Sequence, residues 1–238
     1  MVPAHALMLA LIVAPIFSEA SGPEPPPAAG GWRATPSSLL LFNHDGRLIN
    51  EIGLGSWRDE LDGGLVSVRR MRGGIADGGR FAWHWQKFET IRTGQVDEVL
   101  GSTKTFVYLG TTGQPLWRDD AVEAPPHMAP VLLSRDGETA LVIEARKDGW
   151  TLAAVSFTGN RIMELDVAER LEKVSFTSDG RFAMALWGAL DEPLIYSFLD
   201  LLRKQRKDIP AADAPLGQAR IDEDGVVIIG GEAAFRFP

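Results

Sequence analysis

The sequence contains no cysteine. Disulfides, thiolate metal sites, cysteine nucleophiles and lipoprotein acylation are therefore excluded together, although export is not. Basic charge is in deficit: 24 Lys and Arg stand against 32 Asp and Glu, for a net charge of −8 over 238 residues. That balance argues against nucleic-acid binding, which needs an electropositive surface to displace counterions. Histidine is scarce. His5, His44, His84 and His127 show no metal-ligand spacing, so no metal or other cofactor is expected. No Gly-x-Ser-x-Gly elbow suggests a nucleophilic serine. Long apolar runs are missing too. The strongest, ALMLALIVAPIF at 6–17, has 12 residues and is too short for a membrane span.

What is there begins with that run. It is followed by SEA at 18–20, small residues at the two positions a signal peptidase reads. Residues 1–20 are expected to be an export signal cleaved after Ala20, giving a periplasmic or extracellular protein. The segment before the run carries His5 but no Lys or Arg, and a buried N-terminal strand or helix is the alternative. GPEPPPAAGG at 22–31 is expected to form neither helix nor strand, its prolines stiffening the chain as polyproline II. Residues 21–35 read as a tether and 36–238 as the folded domain, a length sufficient for a sizeable core.

Within that domain the chain repeats itself. Asp-Gly turns recur at Asp77, Asp136, Asp179 and Asp224, spaced 59, 43 and 45 residues apart. Each is followed by a strand-like run, RFAWHWQKFETI, TALVIEA, RFAMALWG or VVIIGG. Gly accepts the positive φ that tight hairpins demand. Between these turns lies a second repeated element of strand, glycine turn and strand, at 38–52 around Gly46, 104–119 around Gly113 and 150–166 around Gly159. One unit thus holds four antiparallel strands in about forty-odd residues, the size of a propeller blade. DEPLIYSFLDLLRKQRKD at 191–208 lacks the expected glycine and could form a helix, but the neighbouring copies favour two strands.

SRDG and TSDG followed by an apolar strand resemble the repeats of WD-like and Tol-type periplasmic propellers, whose blades carry a Ser-Pro-Asp-Gly hairpin. The proline is missing here from every copy. The resemblance spans 36–238 and implies a fold: all-β, a small β-propeller of about four four-stranded blades. Three blades are expected at 65–120, 125–168 and 170–210. The hairpin 38–52 is expected to join strands from 217–238 in a composite blade that closes the ring.

A propeller binds ligands near the innermost strand of each blade. Four and six residues before the Asp-Gly turns stand Gly73, Leu132, Ser175 and Arg220, and Met71, Pro130, Lys173 and Gln218. No carboxylate or histidine occurs there. Arg72, Lys173, Ser175 and Arg220 are the candidates for contact with a small anion or carboxylate; cations simply reaching solvent are the bland alternative. His84 is expected to be partly buried and hydrogen-bonded. Trp32 and Trp57 would be the exposed pair if the tryptophans formed a carbohydrate platform, whereas inter-blade packing explains most of them. RKQRK at 203–207 reads as a solvated strand edge. The function these features favour is an exported, non-catalytic binding or scaffold module with a protein or small-ligand partner. The alternative is a hydrolase or lyase acting on carbohydrates or lactones through Asp97, Glu98, Asp119 and Asp120.

Overall fold

The computed structural model describes residues 30–92, 98–211 and 218–238. Five antiparallel sheets follow one another along the chain. The first holds β1 (Gly31–Ala34), β2 (Ser38–Phe42) and β3 (Leu48–Gly53). The second holds β4 (Gly55–Leu61), β5 (Leu65–Ile75), β6 (Ala82–Arg92), β7 (Glu98–Leu109) and β8 (Pro115–Asp119). In the third are β9 (Val131–Leu133), β10 (Thr139–Arg146), β11 (Gly149–Ser156) and β12 (Arg161–Val167). In the fourth are β13 (Arg170–Phe176), β14 (Phe182–Gly188), β15 (Ile195–Asp200) and β16 (Gln205–Pro210). The fifth has β17 (Arg220–Ile221), β18 (Val226–Ile229) and β19 (Glu232–Arg236). Within every sheet, neighbours in sequence are neighbours in space, the up-and-down order of a propeller blade.

The side-chain period of two stacks these sheets face to face. On β10, Ala140 and Val142 face the second sheet, while Leu141 and Ile143 face the fourth. On β14, Ala183 and Ala185 face the third sheet, while Phe182, Met184 and Leu186 face the fifth. Four apolar clusters therefore alternate with the sheets. Trp83, Trp85, Phe106 and Tyr108 fill the second-to-third interface, and Trp32, Trp117, Trp150 and Trp187 also pack against inter-sheet clusters.

The repeated turns have a shared geometry. Gly137 and Gly180 donate to the carbonyls three residues back, Ser134 and Thr177, at 3.0 Å each, and lie at φ 76° and 72°. In the first copy the matching bond runs from Gly79 to Ala76, and the left-handed residue is Gly79, not Gly78. The repeat aligned on Asp77 is thus one residue out of phase with the turns: Asp77 matches Arg135, Ser178 and Glu223. The 191–208 segment is two strands, β15 and β16, as the repeat predicts. Where its siblings carry glycine it carries Lys204, at φ 55°. Asp200, fully buried, anchors this turn by accepting from the Arg203 amide at 3.0 Å and from the Arg181 and Arg203 guanidiniums at 3.2 and 3.3 Å. Burial alone would raise its pKa, but these donors together hold the carboxyl below its usual range.

Two expectations need correction. The composite blade does not form: β2 pairs with β1 and β3, while β17–β19 make a separate sheet. The reason is β1, GWRA, which occupies the edge of β2 that the C-terminal strands were to take. Its four residues lie within the segment expected as tether, where Pro and Gly mask the strand. Among the described residues no apolar cluster joins the first sheet to the fifth. Trp32 on β1 is also not exposed. It is 2% accessible, packs with Leu39, Leu41 and Val107, and donates from Nε1 to the Gly110 carbonyl at 2.9 Å.

Glycine substitutions separate backbone strain from crowding. A Cβ on Gly180 would lie 2.9 Å from that of Ser134, whereas one on Gly46, at φ 74°, would meet nothing within 4 Å. Gly180→Ala is expected to cost about 2–3 kcal/mol and Gly46→Ala about 1 kcal/mol in denaturant unfolding. Equal costs would contradict the turn packing. Conversely, Lys204→Gly relieves a left-handed non-glycine residue at an exposed turn and is expected to raise stability by up to about 1 kcal/mol. A lower melting temperature would show that the lysine is favoured there.

Candidate functional site

The innermost strands have two ends, and each gathers a different chemistry. Chain enters β9 from the connection 120–130 and leaves it through the turn 134–139, so these lie at opposite ends of the stack.

At the turn end, the second residues of four turns meet. The Arg135 amide donates to the Ser178 carbonyl at 2.7 Å, Ser178 Oγ donates to Glu223, and Arg135 lies 3.7 Å from Asp77. They line an open cavity of about 610 Å³ with Arg80, Asp136 and Asp179. Asp136 and Asp179 are committed to their own turns, accepting from Ser134 and Thr177 hydroxyls at 2.6 Å.

At the other end, EAPPHMAP builds a rigid loop. Three prolines limit its backbone. The loop is pinned at its start by an isolated bridge between Val122 and Glu144 and by the Glu123 amide, which donates to Ile143 O at 2.9 Å. Trp85 Nε1 donates to the Val122 carbonyl at 2.6 Å. The Glu123 carboxylate accepts from Lys104 and lies 3.5 Å from Lys87. At its far end the Pro130 carbonyl accepts from Ile143 at 2.9 Å.

Three adjoining cavities surround this loop, and Met128 lines all three. One, of about 220 Å³, holds Arg70, Arg72 and Lys87 beside Trp85 and Trp150. A second, of about 500 Å³, is floored by Leu54, Met71 and Trp83, with Arg72 at its side. The third, of about 270 Å³, lies against Leu132, Ile143 and Lys173. Arg72 and Lys173 thus flank one loop, and neither forms an ion pair among the described residues. Ser175 on β13 and Arg220 on β17 sit opposite Met184 and Ile228 in their ladders and line none of these three cavities. Two of the four anticipated residues are therefore brought together and two are not. Met128, Arg70 and Trp150 were not anticipated; the cluster of prolines between two blades was the available signal.

The other candidates are dispersed. Asp97 and the Glu98 side chain lie outside the described residues. Asp119 accepts from the Ala121 amide at 2.7 Å and pairs with Arg161 at 3.5 Å, while Asp120 is exposed. His84 is half-buried as expected, and its buried Nδ1 has no hydrogen-bond partner among the described residues. Burial first, and then the charge of Arg118, push its pKa down. Trp57 is half-buried under the Arg69 guanidinium, 4.3 Å from its ring. RKQRK is exposed along β16 as expected. No group of three His, Asp or Glu side chains is placed to hold a metal among the described residues, and no helix there is long and apolar enough to cross a membrane.

No protein-family model and no curated protein matches this chain. Solved propeller structures are similar to it in fold. The β-propeller domain of the Trilobed protease from Pyrococcus furiosus is 11% identical with a TM-score of 0.39, over 77% of this chain and 52% of that one. The Dos1 propeller is 6% identical with a TM-score of 0.37, over 80% and 61%. TolB from Acinetobacter baumannii is 12% identical with a TM-score of 0.30, over 76% and 63%. The chain spans about half to two thirds of the length of these structures.

Glu123 gives the loop a pH dependence. Burial alone would push its carboxyl up, but the hydrogen bond from Lys104 and the charges of Lys104 and Lys87 outweigh it and hold the pKa below the usual range. The attachment it supplies is present above the unfolded value of about 4.3 and is lost as pH falls through the lower folded value. Amide protection of 121–130 should therefore fall in that acid window. In Glu123→Gln it should be low at neutral pH and lack this transition. An unchanged profile in the variant would show that the prolines alone hold the loop.

Proposed function

We propose that this chain is an exported, non-catalytic binding module that seats an anionic protein segment at the loop end of the stack. One observation carries this reading: a pinned, proline-rich loop divides three adjoining cavities flanked by Arg72 and Lys173, which form no ion pair among the described residues although Glu123 and Glu172 line two of the same cavities. Unpaired cations beside apolar surface offer a carboxylate charge-assisted hydrogen bonds, while Met128, Trp83 and Met71 offer an apolar side chain a place to bury. The rigid sheets beneath hold these groups without an ordering cost on binding. A free peptide C-terminus following an apolar residue supplies both features in one ligand.

Titration of the full chain with short apolar peptides ending in a free carboxylate, followed by tryptophan fluorescence, tests this. Binding is expected to weaken about five- to tenfold in Arg72→Gln and in Lys173→Gln, and to weaken on amidation of the peptide. Equal binding of carboxylate and amide forms would remove the anion from the proposal, and no effect of either substitution would move the site elsewhere. Export belongs to the same reading, and the mature product should begin at Ser21; an intact Met1 in the exported protein would overturn it.

A further inference from the structure

The fifth sheet ends at β19, which has no neighbour on its free side among the described residues. In the third and fourth sheets a fourth strand, β12 or β16, fills the equivalent place. The Phe237 amide is directed inward, donating to the Gly225 carbonyl at 3.0 Å. Amide directions alternate along an antiparallel strand, so the Arg236 N–H and C=O point to the open side. Such an edge is a template for an incoming strand.

What lies beside the edge selects the strand. Lys207 on β16, together with Phe235, Arg236 and Phe237, lines a groove of about 410 Å³ that no acidic side chain lines. The Lys207 ammonium stands 4.0 Å from the Phe235 ring centroid and pairs with no carboxylate among the described residues. Arg236 lies 3.9 Å from the Asp224 carboxylate and donates from Nε to the Asp224 carbonyl at 3.1 Å, with both side chains well exposed. Half-buried Phe235 meets the buried Phe237 edge to face at 5.4 Å, so Phe235 supplies the apolar rim and Phe237 fixes it. The chain as a whole carries a charge of −8, so any attraction for an acidic ligand is local to such a groove.

We infer that β19 accepts an extended acidic peptide segment as the fourth strand of this sheet. Its backbone pairs with Arg236, its carboxylates meet Arg236 on the outer face, and its apolar residues pack on Phe235 on the inner face. Lys207 stands on the inner face, so the opposite register sets the carboxylates beside Lys207 and turns the apolar residues outward. This site lies on the fourth and fifth sheets and is independent of the loop site above.

A C-terminally amidated, fluorescein-labelled peptide of three Glu-Val repeats, which lacks the free carboxylate end the loop site is proposed to seat, tests the inference when titrated against the full chain by anisotropy. Expected are binding that weakens at about 0.5 M salt, none by the Lys-Val counterpart, and protection of the Arg236 amide from hydrogen exchange. The exposed double variant Lys207→Glu with Arg236→Glu should bind about tenfold more weakly or worse. Equal binding of both peptides, no binding, or full affinity in the double variant would overturn the inference. Binding without protection at Arg236 would replace strand addition by loose charge attraction and so overturn it. Self-association of the chain that protects the same amide without peptide would assign the edge to a second copy instead.

Discussion

Every strand in the middle of the third and fourth sheets has to bury two faces, and much of the fold follows from that. A strand with one wet face alternates polar and apolar residues. β10 and β14 instead read as unbroken apolar runs, ALVI and FAMAL, because each face meets another sheet. The two faces are not equal in size. On β14 alanines point at the third sheet, where Leu141, Ile143 and Leu152 are bulky, so large side chains meet small ones and the two sheets interlock at close spacing. Phe182, Met184 and Leu186 point at the fifth sheet, where Phe182 instead stacks on Phe237 at 5.9 Å.

Stacking of this kind leaves two special sheets, the first and the last, each with one face that no other sheet covers in the described residues. Their composition answers to that. β3 exposes Leu48 and Ile49, at 45% and 57% accessible, beside Asn50 and Glu51. β19 alternates exposed Glu232 and Arg236 with the inward Phe235. Arg33 covers the outer face of Phe42, 5.0 Å from its ring centroid. Charged residues on outer faces and edges limit uncontrolled pairing with other strands. An edge managed by charge also becomes selective, since the same cations that repel a basic strand attract an acidic one.

The legible parts of this architecture were those with a strong local cause. Positive φ demands glycine, so the Asp-Gly and second-element turns announced themselves, and the strands between them could be counted. Lys204 shows the limit: with Asp200 buried beneath it and three donors on that carboxylate, the turn forms without the glycine, and only comparison with sibling units exposed it. β1 was hidden for the opposite reason. GWRA follows a Pro- and Gly-rich tract and has only one strong strand former, so no local pattern separates it from a tether. Its strand state comes from partners distant in sequence, chiefly Leu41 across the ladder and the Gly110 carbonyl that receives the Trp32 indole. Ring closure was misjudged because it depended on which segment occupies that edge of β2, a question of competition between distant segments that periodicity does not address.

The candidate site divides along the same line. Strand position placed Arg72 and Lys173 near the inner strands, and these two do share a loop. Ser175 and Arg220 occupy similar positions in the repeat but lie beside different connections, and the connection decides what a strand-end residue can reach. Between the second and third sheets the connection is eleven residues long, 120–130, and stiffened by three prolines. Between the third and fourth it is only Ala168 and Glu169, too short to fold over the strand ends. A regular stack therefore presents nearly equivalent strand ends to solvent, and the irregular loop laid across them singles out one pair of cations. Scaffold and site obey different rules in this chain: the turns are repeated because stacking requires them, whereas the loop departs from the repeat while still seating Ala124, Pro125 and Met128 against the core.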